Sequence, residues 1–317
     1  MRKIRFVALL LALALLLCAC GAAKTPLEQA AAYLKKAAPN PGYGSLNGDW
    51  TVFGLARSGV QVAGKYYETY YGNVEAAVTE AGGKLSETKY TEYSRLVLVL
   101  TAIGRDPRNV GGYDLLMPLA DLDRATAQGV NGAIFALLAL DSGSYEIPEN
   151  PDAAVQAPRE GYVEEILSRQ NEDGGWSLAG GTSDVDLTAM ALQALAKYRG
   201  GAAVSGAVER GLAWLAWAQE PDGTFISWDT VSSESVSQVI VVLTELGISL
   251  DDERFVKNGQ TLAQVLERFA CEDGSYRHAL NGSSDEMATE QALYALAAIH
   301  RAETGETTLY DMTDVKA

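Results

Sequence analysis

The chain has 317 residues, with 25 basic against 41 acidic side chains, a formal net charge of −16 and 48% apolar residues. An acidic excess of this size leaves no concentrated positive surface, which argues against nucleic acid and anionic lipid headgroups as partners. The apolar content over this length is enough for one large core.

Residues 1–20 read as a leader rather than as part of the fold. Arg2, Lys3 and Arg5 precede an unbroken apolar run from Phe6 to Leu17, too short to span a bilayer comfortably and of signal-peptide length. The run closes on Leu17-Cys18-Ala19-Cys20, which resembles a bacterial lipobox. By that resemblance residues 1–19 are removed and Cys20 is lipidated. Residues 20–25 then form a tether on the outer face of the cytoplasmic membrane. Only Cys271 remains in the folded part, so neither an intrachain disulfide nor a multi-cysteine zinc site is expected.

From residue 26 onward the dominant signal is helical periodicity broken by Gly, Pro, Asn and Asp clusters, with no strand-like alternation. Twelve helices are predicted, at 26–38, 49–59, 67–81, 90–103, 110–123, 129–140, 158–170, 185–198, 204–219, 234–246, 254–270 and 286–302. They fall into six pairs that begin roughly 40 to 50 residues apart, a repeat period. First members mix charge with apolar positions, as in GYVEEILSRQ and LAQVLERF. Second members are apolar nearly all round, as in LTAMALQALA and VSQVIVVLTEL. Helices without a polar face belong in an interior and amphipathic ones outside it. Six inner and six outer helices in alternation describe an all-α fold, an α6/α6 toroid over residues 26–303, followed by a C-terminal tail at 304–317.

The repeat carries its own turn. Asp173, Asp222 and Asp273 each precede a glycine, followed two residues on by Trp176, Phe225 and Tyr276. Asp-Gly suits a tight turn, because Asp bonds nearby amides and Gly accepts positive φ. The stretch RGLAWLAWAQEPDGTF (210–225) resembles the QW repeat of the squalene–hopene cyclase and protein prenyltransferase superfamily. Residues 165–176 resemble its second half, and 265–276 do so with Ala270 in place of Gln. The resemblance covers residues 26 to 302 and implies the same toroidal fold, without carrying function by itself.

Three functional readings follow. In DVDLTA (184–189), Asp184 and Asp186 resemble the first two acids of the Asp-x-Asp-Asp motif of class II terpene cyclases. Thr188-Ala189 resembles the motif's continuation, and Leu187 stands where the third acid belongs. In that family the middle acid, here Asp186, protonates an alkene or epoxide, which needs neighbours that stabilise the carboxylate left behind. The capping alternative is that short polar groups start each inner helix, with Ser233 to Ser235 and Ser284 to Glu286 as the later counterparts. The prenyltransferase resemblance implies a zinc bound by Asp, Cys and His. Here Cys271 lies in a repeat turn, His300 falls near a helix end, and His278 is read as structural, so no metal or cofactor is expected.

The same helix also resembles that of the cobalamin-binding toroids, which are secreted carriers. On that resemblance the preferred expectation is a surface-anchored, non-catalytic module for an unidentified small molecule, with the cyclase as the alternative. Its rim would be Asp49, Trp50, Tyr93, Arg95, Asn131, Asp184, Asp186, Gln238, Glu290 and Gln291, at the starts of the inner helices. Arg95 precedes an apolar run and is expected to pair with an acid, Asp186 being the one to test. A third reading is a cell-surface interaction scaffold, using the tyrosine-rich stretch KYYETYYGN (65–73) taken as a loop. PENPDAAVQAP (148–158) is expected to be a loop over one rim. The anchor has a direct test: Cys20→Ala releases the protein into the medium, as read by cell fractionation, whereas retention at the membrane contradicts it.

Overall fold

The computed structural model describes residues 23–316; the leader and the anchor at Cys20 lie outside the described residues. The described residues form α1 (Pro26–Ala37), α2 (Trp50–Arg57), α3 (Gly64–Glu80), α4 (Thr91–Ala102), α5 (Leu122–Thr126) and α6 (Val130–Ser142). They continue with α7 (Arg159–Ser168), α8 (Val185–Leu195), α9 (Ala202–Ala218), α10 (Ser233–Glu245), α11 (Leu262–Glu267) and α12 (Glu286–Thr304). The even-numbered helices pack in the order α2, α4, α6, α8, α10, α12 and back to α2, a closed inner ring. Every residue of α10 from Ser233 to Thr244 is buried, as an inner position requires of a helix with no polar face.

Local chemistry starts and stops these helices. Thr25 and Glu28 form a capping box on α1 with Pro26 behind the cap, and Thr261 with Gln264 form another on α11. Asp184, Ser232 and Asp285 each accept a hydrogen bond from the third amide of an inner helix, satisfying donors that would otherwise be orphaned. Gly305, left-handed at φ 72°, ends α12.

The three repeat turns are built alike. Gly174, Gly223 and Gly274 have φ of 97°, 88° and 90°. The preceding Asp bonds the backbone amide two residues on, at 3.0, 3.1 and 3.0 Å. Gln170 and Gln219 donate to the carbonyls of Gly174 and Gly223 and also to the neighbouring repeat at Ala207 and Phe255. Trp176, Phe225 and Tyr276 are buried beneath.

Several sequence expectations change. The helix expected at 110–123 is instead a turn with Gly111 and Gly112 at positive φ, a 3-10 turn at Met117–Ala120 and the short α5. The helix expected at 254–270 shrinks to α11, because Asn258 and Gly259 both take positive φ and close a hairpin-like turn between Lys257 and Gln260. The helix expected at 67–81 begins earlier, so the whole stretch 65–73 lies in α3 rather than in a loop, and Tyr70 is buried. Two short antiparallel ladders, Ile226–Ser227 with Thr230–Val231 and Tyr276–Arg277 with Ser284–Asp285, were not anticipated.

The last residues are not a loose appendage. Leu309, Tyr310 and Met312 are buried, and the segment crosses the C-terminal ends of the inner helices. Arg57, at the end of α2, donates to the carbonyls of Leu309, Thr308 and Asp311 and pairs with Asp314 at 3.0 Å. Arg301, near the end of α12, holds the Thr307 carbonyl and the other oxygen of Asp314. The Tyr310 amide bonds Glu245 at the end of α10, and the Met312 amide bonds the Ser142 carbonyl at the end of α6.

A buried ion pair ties three elements together at the other end. The carboxylate of Asp49 receives Arg95 Nε at 2.6 Å and the Tyr70 hydroxyl at 2.7 Å, and Arg95 also binds Glu92. Burial opposes the Arg95 charge, but Glu92 and Asp49 outweigh it and raise its pKa. Asp49→Ala strands a buried guanidinium and is expected to cost about 3–5 kcal/mol in urea unfolding, most of it recovered in Asp49→Leu/Arg95→Met. A loss below 1 kcal/mol in the single variant would mean that the pair holds nothing.

Candidate active site

Inside the ring, at the N-terminal ends of the inner helices, lies a cavity of about 180 Å³. Its wall comprises Trp50 from α2, Phe135 from α6, Asp186 and Met190 from α8, Gln238 from α10, and Glu290, Gln291 and Tyr294 from α12. Ser45, Tyr310 and the half-exposed Met287 complete it. Side chains one helical turn apart face the same way. Asp186 with Met190 and Glu290 with Tyr294 therefore form two inward stripes. The Trp50 ring lies 6.1 Å from Phe135 and 6.2 Å from Tyr294, centroid to centroid.

Asp184 and Asp186 have separate jobs. Asp184 Oδ1 accepts the Leu187 amide at 3.0 Å and Oδ2 the Ser227 hydroxyl at 2.6 Å, so it is the cap of α8. Asp186 Oδ2 accepts the same hydroxyl at 3.3 Å. Its Oδ1 is buried with no hydrogen-bond partner among the described residues. Burial, then the charge of Asp184, push the Asp186 carboxyl up to about 6, against the hydrogen bonds from Ser235 and Ser227. Thr188 ties the helix to the turn by accepting the Trp176 amide at 2.9 Å.

A third acid approaches from the next repeat. Counted from the caps, Asp186 corresponds to Glu234, two residues after Ser232, rather than to Ser235 as the sequence alignment of the repeats had it. Glu234 is among the charges that raise Asp186, and its carboxylate contacts His278 Nδ1 at 2.9 and 3.0 Å. His278 thus stands beside the acidic cluster through Glu234. Across the cavity Glu290 is 1% exposed. Its Oε1 accepts the Thr51 hydroxyl at 2.6 Å and the Asn47 amide at 3.0 Å, while Oε2 has no partner among the described residues. Burial pushes Glu290 up to about 7, with the Thr51 and Asn47 hydrogen bonds opposing. Gln238 donates to Gln291 at 3.0 Å and to the Tyr294 hydroxyl at 2.5 Å.

Of the expected rim residues, Trp50, Asp186, Gln238, Glu290 and Gln291 meet around this cavity, whereas Tyr93 and Asn131 do not line it. Tyr93 turns outward, its hydroxyl accepting the Leu85 amide at 3.0 Å. Arg95 does pair with acids, but with Asp49 and Glu92 rather than Asp186, because α4 faces the Asp49 end of α2. The sequence reading missed Phe135, Met190, Tyr294, Glu234 and His278. The first three stand four residues after Asn131, Asp186 and Glu290, a spacing that signals them. Among the described residues no group of three His, Cys, Asp or Glu side chains is placed to hold a metal.

No protein-family model matches the chain. Over 164 residues, 50% of this chain, it is 32% identical to the drimenyl diphosphate synthase of Streptomyces showdoensis, and it spans only 29% of that protein's length. A type II terpene cyclase from Scytonema, solved with its product merosterolic acid A, superimposes with a TM-score of 0.55 at 13% identity. That match covers 88% of this chain and 96% of the cyclase. The chain is an α/α toroid. An unsaturated glucuronyl hydrolase from Bacillus sp. GL1 shares the toroid with a TM-score of 0.51 at 15% identity, over 90% and 97% of the two chains. The toroid fold is therefore common to terpene cyclases and glycosidases, and the site must separate them. Among the described residues no helix is long and apolar enough to cross a membrane.

The raised carboxyls make stability depend on pH with a definite sign. Asp186 and Glu290 bind protons more tightly folded than unfolded, so the folded state holds more protons between the ordinary carboxylate range and about pH 7. Stability therefore falls as pH rises through that window. Glu245, also raised to about 7 by burial, adds to the same slope. Glu290→Gln removes on the order of 3 kcal/mol of this dependence between pH 4 and pH 8. The check is the urea midpoint against pH, which should be flatter in the variant; an unchanged slope would show that Glu290 titrates normally.

Proposed function

We propose that the toroid is an enzyme of the class II terpene cyclase type, in which Asp186 starts an isomerisation by protonating a carbon–carbon double bond of an apolar chain. The observation that carries the reading is the setting of Asp186. It is an acid kept partly protonated by burial, in the wall of a cavity lined by Trp50, Phe135 and Tyr294, with one carboxylate oxygen left without a hydrogen-bond partner among the described residues. The similarity to a drimenyl diphosphate synthase and to a terpene cyclase fold supports catalysis over the non-catalytic carrier expected from the cobalamin-type resemblance.

In the proposed step the Asp186 O–H proton passes to an alkene carbon, leaving a carboxylate and a carbocation. The carboxylate is received by the hydroxyls of Ser227 and Ser235. The ring faces of Trp50, Phe135 and Tyr294 stabilise the cation, each worth about 0.5–2 kcal/mol. An internal double bond then attacks the cation to close a ring. Glu290, when ionised, takes a proton from the carbon beside the final cation, and the electrons of that C–H bond form the new double bond. The reaction is a net isomerisation, and solvent returns the two carboxyls to their starting states. The third acid missing at Leu187 has a counterpart in Glu234, which comes from the next inner helix and is contacted by His278 from the turn before α12. An alkene is a poor proton acceptor and a carboxyl near pH 6 a modest donor. The desolvated, aromatic cavity must therefore supply most of the rate.

A cavity of about 150 Å³ holds a benzene-sized body, so this one encloses the reacting end of a chain rather than a long isoprenoid. Incubation of the protein with linear isoprenoid alcohols and diphosphates in heavy water should give a cyclised or isomerised product carrying one deuterium, read by mass spectrometry. Asp186→Asn should lower the rate by about 10²–10⁴-fold, and Glu290→Gln should divert product toward water-quenched alcohols. The donor must be protonated and the acceptor ionised, so the rate should peak between pH 6 and pH 7 and fall on both sides. Absence of deuterium in any product would sink the reading.

A further inference from the structure

The lumen of the ring does not end at the catalytic cavity. A second chamber of about 170 Å³, open to the surface beside the exposed Lys197 and Asp311, lies toward the C-terminal ends of the inner helices, with Leu138, Gln193, Glu245 and Tyr310 also in its lining. The two chambers share inward stripes. On α6 Phe135 faces the first and Leu138 the second. On α8 Asp186 and Met190 face the first and Gln193 the second, with Lys197 in the 3-10 turn that follows. On α10 Gln238 faces the first and Glu245, two turns on, the second. Tyr310 lines both. It is not part of the ring, but is inserted between the chambers by the segment after α12.

The segment holds this side chain in place with unusual firmness. The Arg57 guanidinium, 1% exposed, grips the carbonyls of Leu309 and Thr308, immediately before Tyr310, and of Asp311, immediately after it. Glu245 accepts the Tyr310 amide at 3.0 Å. The ring stacks on Phe53 with centroids 5.7 Å apart and planes 26° apart. The hydrogen bonds fix the backbone on both sides of Tyr310, and the stack on Phe53 holds its ring between the chambers.

We propose that Tyr310 sets the depth of the cavity and so limits how long an apolar chain the toroid accepts from the Asp186 end. The inference rests on the proposed function for the kind of ligand, but its test needs no turnover. Straight-chain alcohols from hexanol to hexadecanol are titrated against an environment-sensitive dye bound to the full chain. In the wild type, affinity rises roughly fourfold per methylene until the chain meets Tyr310 and then levels off. In Tyr310→Ala the rise continues to longer chains before levelling. Tyr310→Leu, which keeps an apolar contact with Phe53 and guards against unfolding of the smaller variant, gives an intermediate limit, and Tyr310→Phe keeps the wild-type one. The same limit in wild type and in a folded Tyr310→Leu or Tyr310→Ala protein overturns the proposal. Binding that tracks chain length in this way supports it even if no deuterium enters a product. Failure of every alcohol to bind the wild type overturns it together with the apolar-chain reading.

Discussion

The closure of six apolar helices into a ring is the constraint from which the rest of this structure follows. A helix such as α10, buried from Ser233 to Thr244, cannot face water on any side, so it needs neighbours on both flanks and an outer helix behind. Six such helices satisfy one another only when the last, α12, packs on the first, α2. Closure also aligns the inner helices, bringing their capped starts to one end of the lumen and their C-termini to the other. A mouth rich in amides and acids and a base crossed by a clamped chain segment are consequences of that alignment.

The two ends use charge differently. At the base, Arg57 and Arg301 meet helix C-termini and the carbonyls of the terminal segment, which suits cations near negative dipole ends. At the mouth, acids outnumber cations. Arg95 is consumed by Asp49 and Glu92, and among the described residues no salt bridge reaches Asp186 or Glu290 at the cavity. Their proton affinities rise because nothing of opposite charge offsets burial. The same exclusion of Arg95 that keeps the ring start rigid therefore tunes the proposed donor and acceptor.

Asp184 and Asp186, one residue apart, show how finely a helix start divides labour. The first sits at the cap, where two donors saturate it. The second, two residues on, lines the cavity and keeps one oxygen without a partner among the described residues. Substituting Leu187 for a third acid buries an apolar side chain in the ring, and the acidic neighbour is supplied by Glu234 across the α8–α10 contact.

Much of the architecture was written locally. Helical period, Asp-Gly turns and polar caps located ten of the twelve expected helices and the alternation, because each depends on residues within one or two turns of each other. The two misplaced helices, at 110–123 and 254–270, carry Gly111-Gly112 and Asn258-Gly259, local breaks that apolar periodicity had outweighed. Five of the ten expected rim residues line the cavity, since a residue at the start of an inner helix can face either the lumen or a neighbouring helix. Which way it faces depends on how helices some 40 to 50 residues apart are rotated against one another. Only the tertiary structure decided that Arg95 meets Asp49, that Glu234 and His278 join Asp186, and that Tyr310 divides the lumen. Those contacts join segments whose sequences carry no record of each other, and packing alone brings them into register.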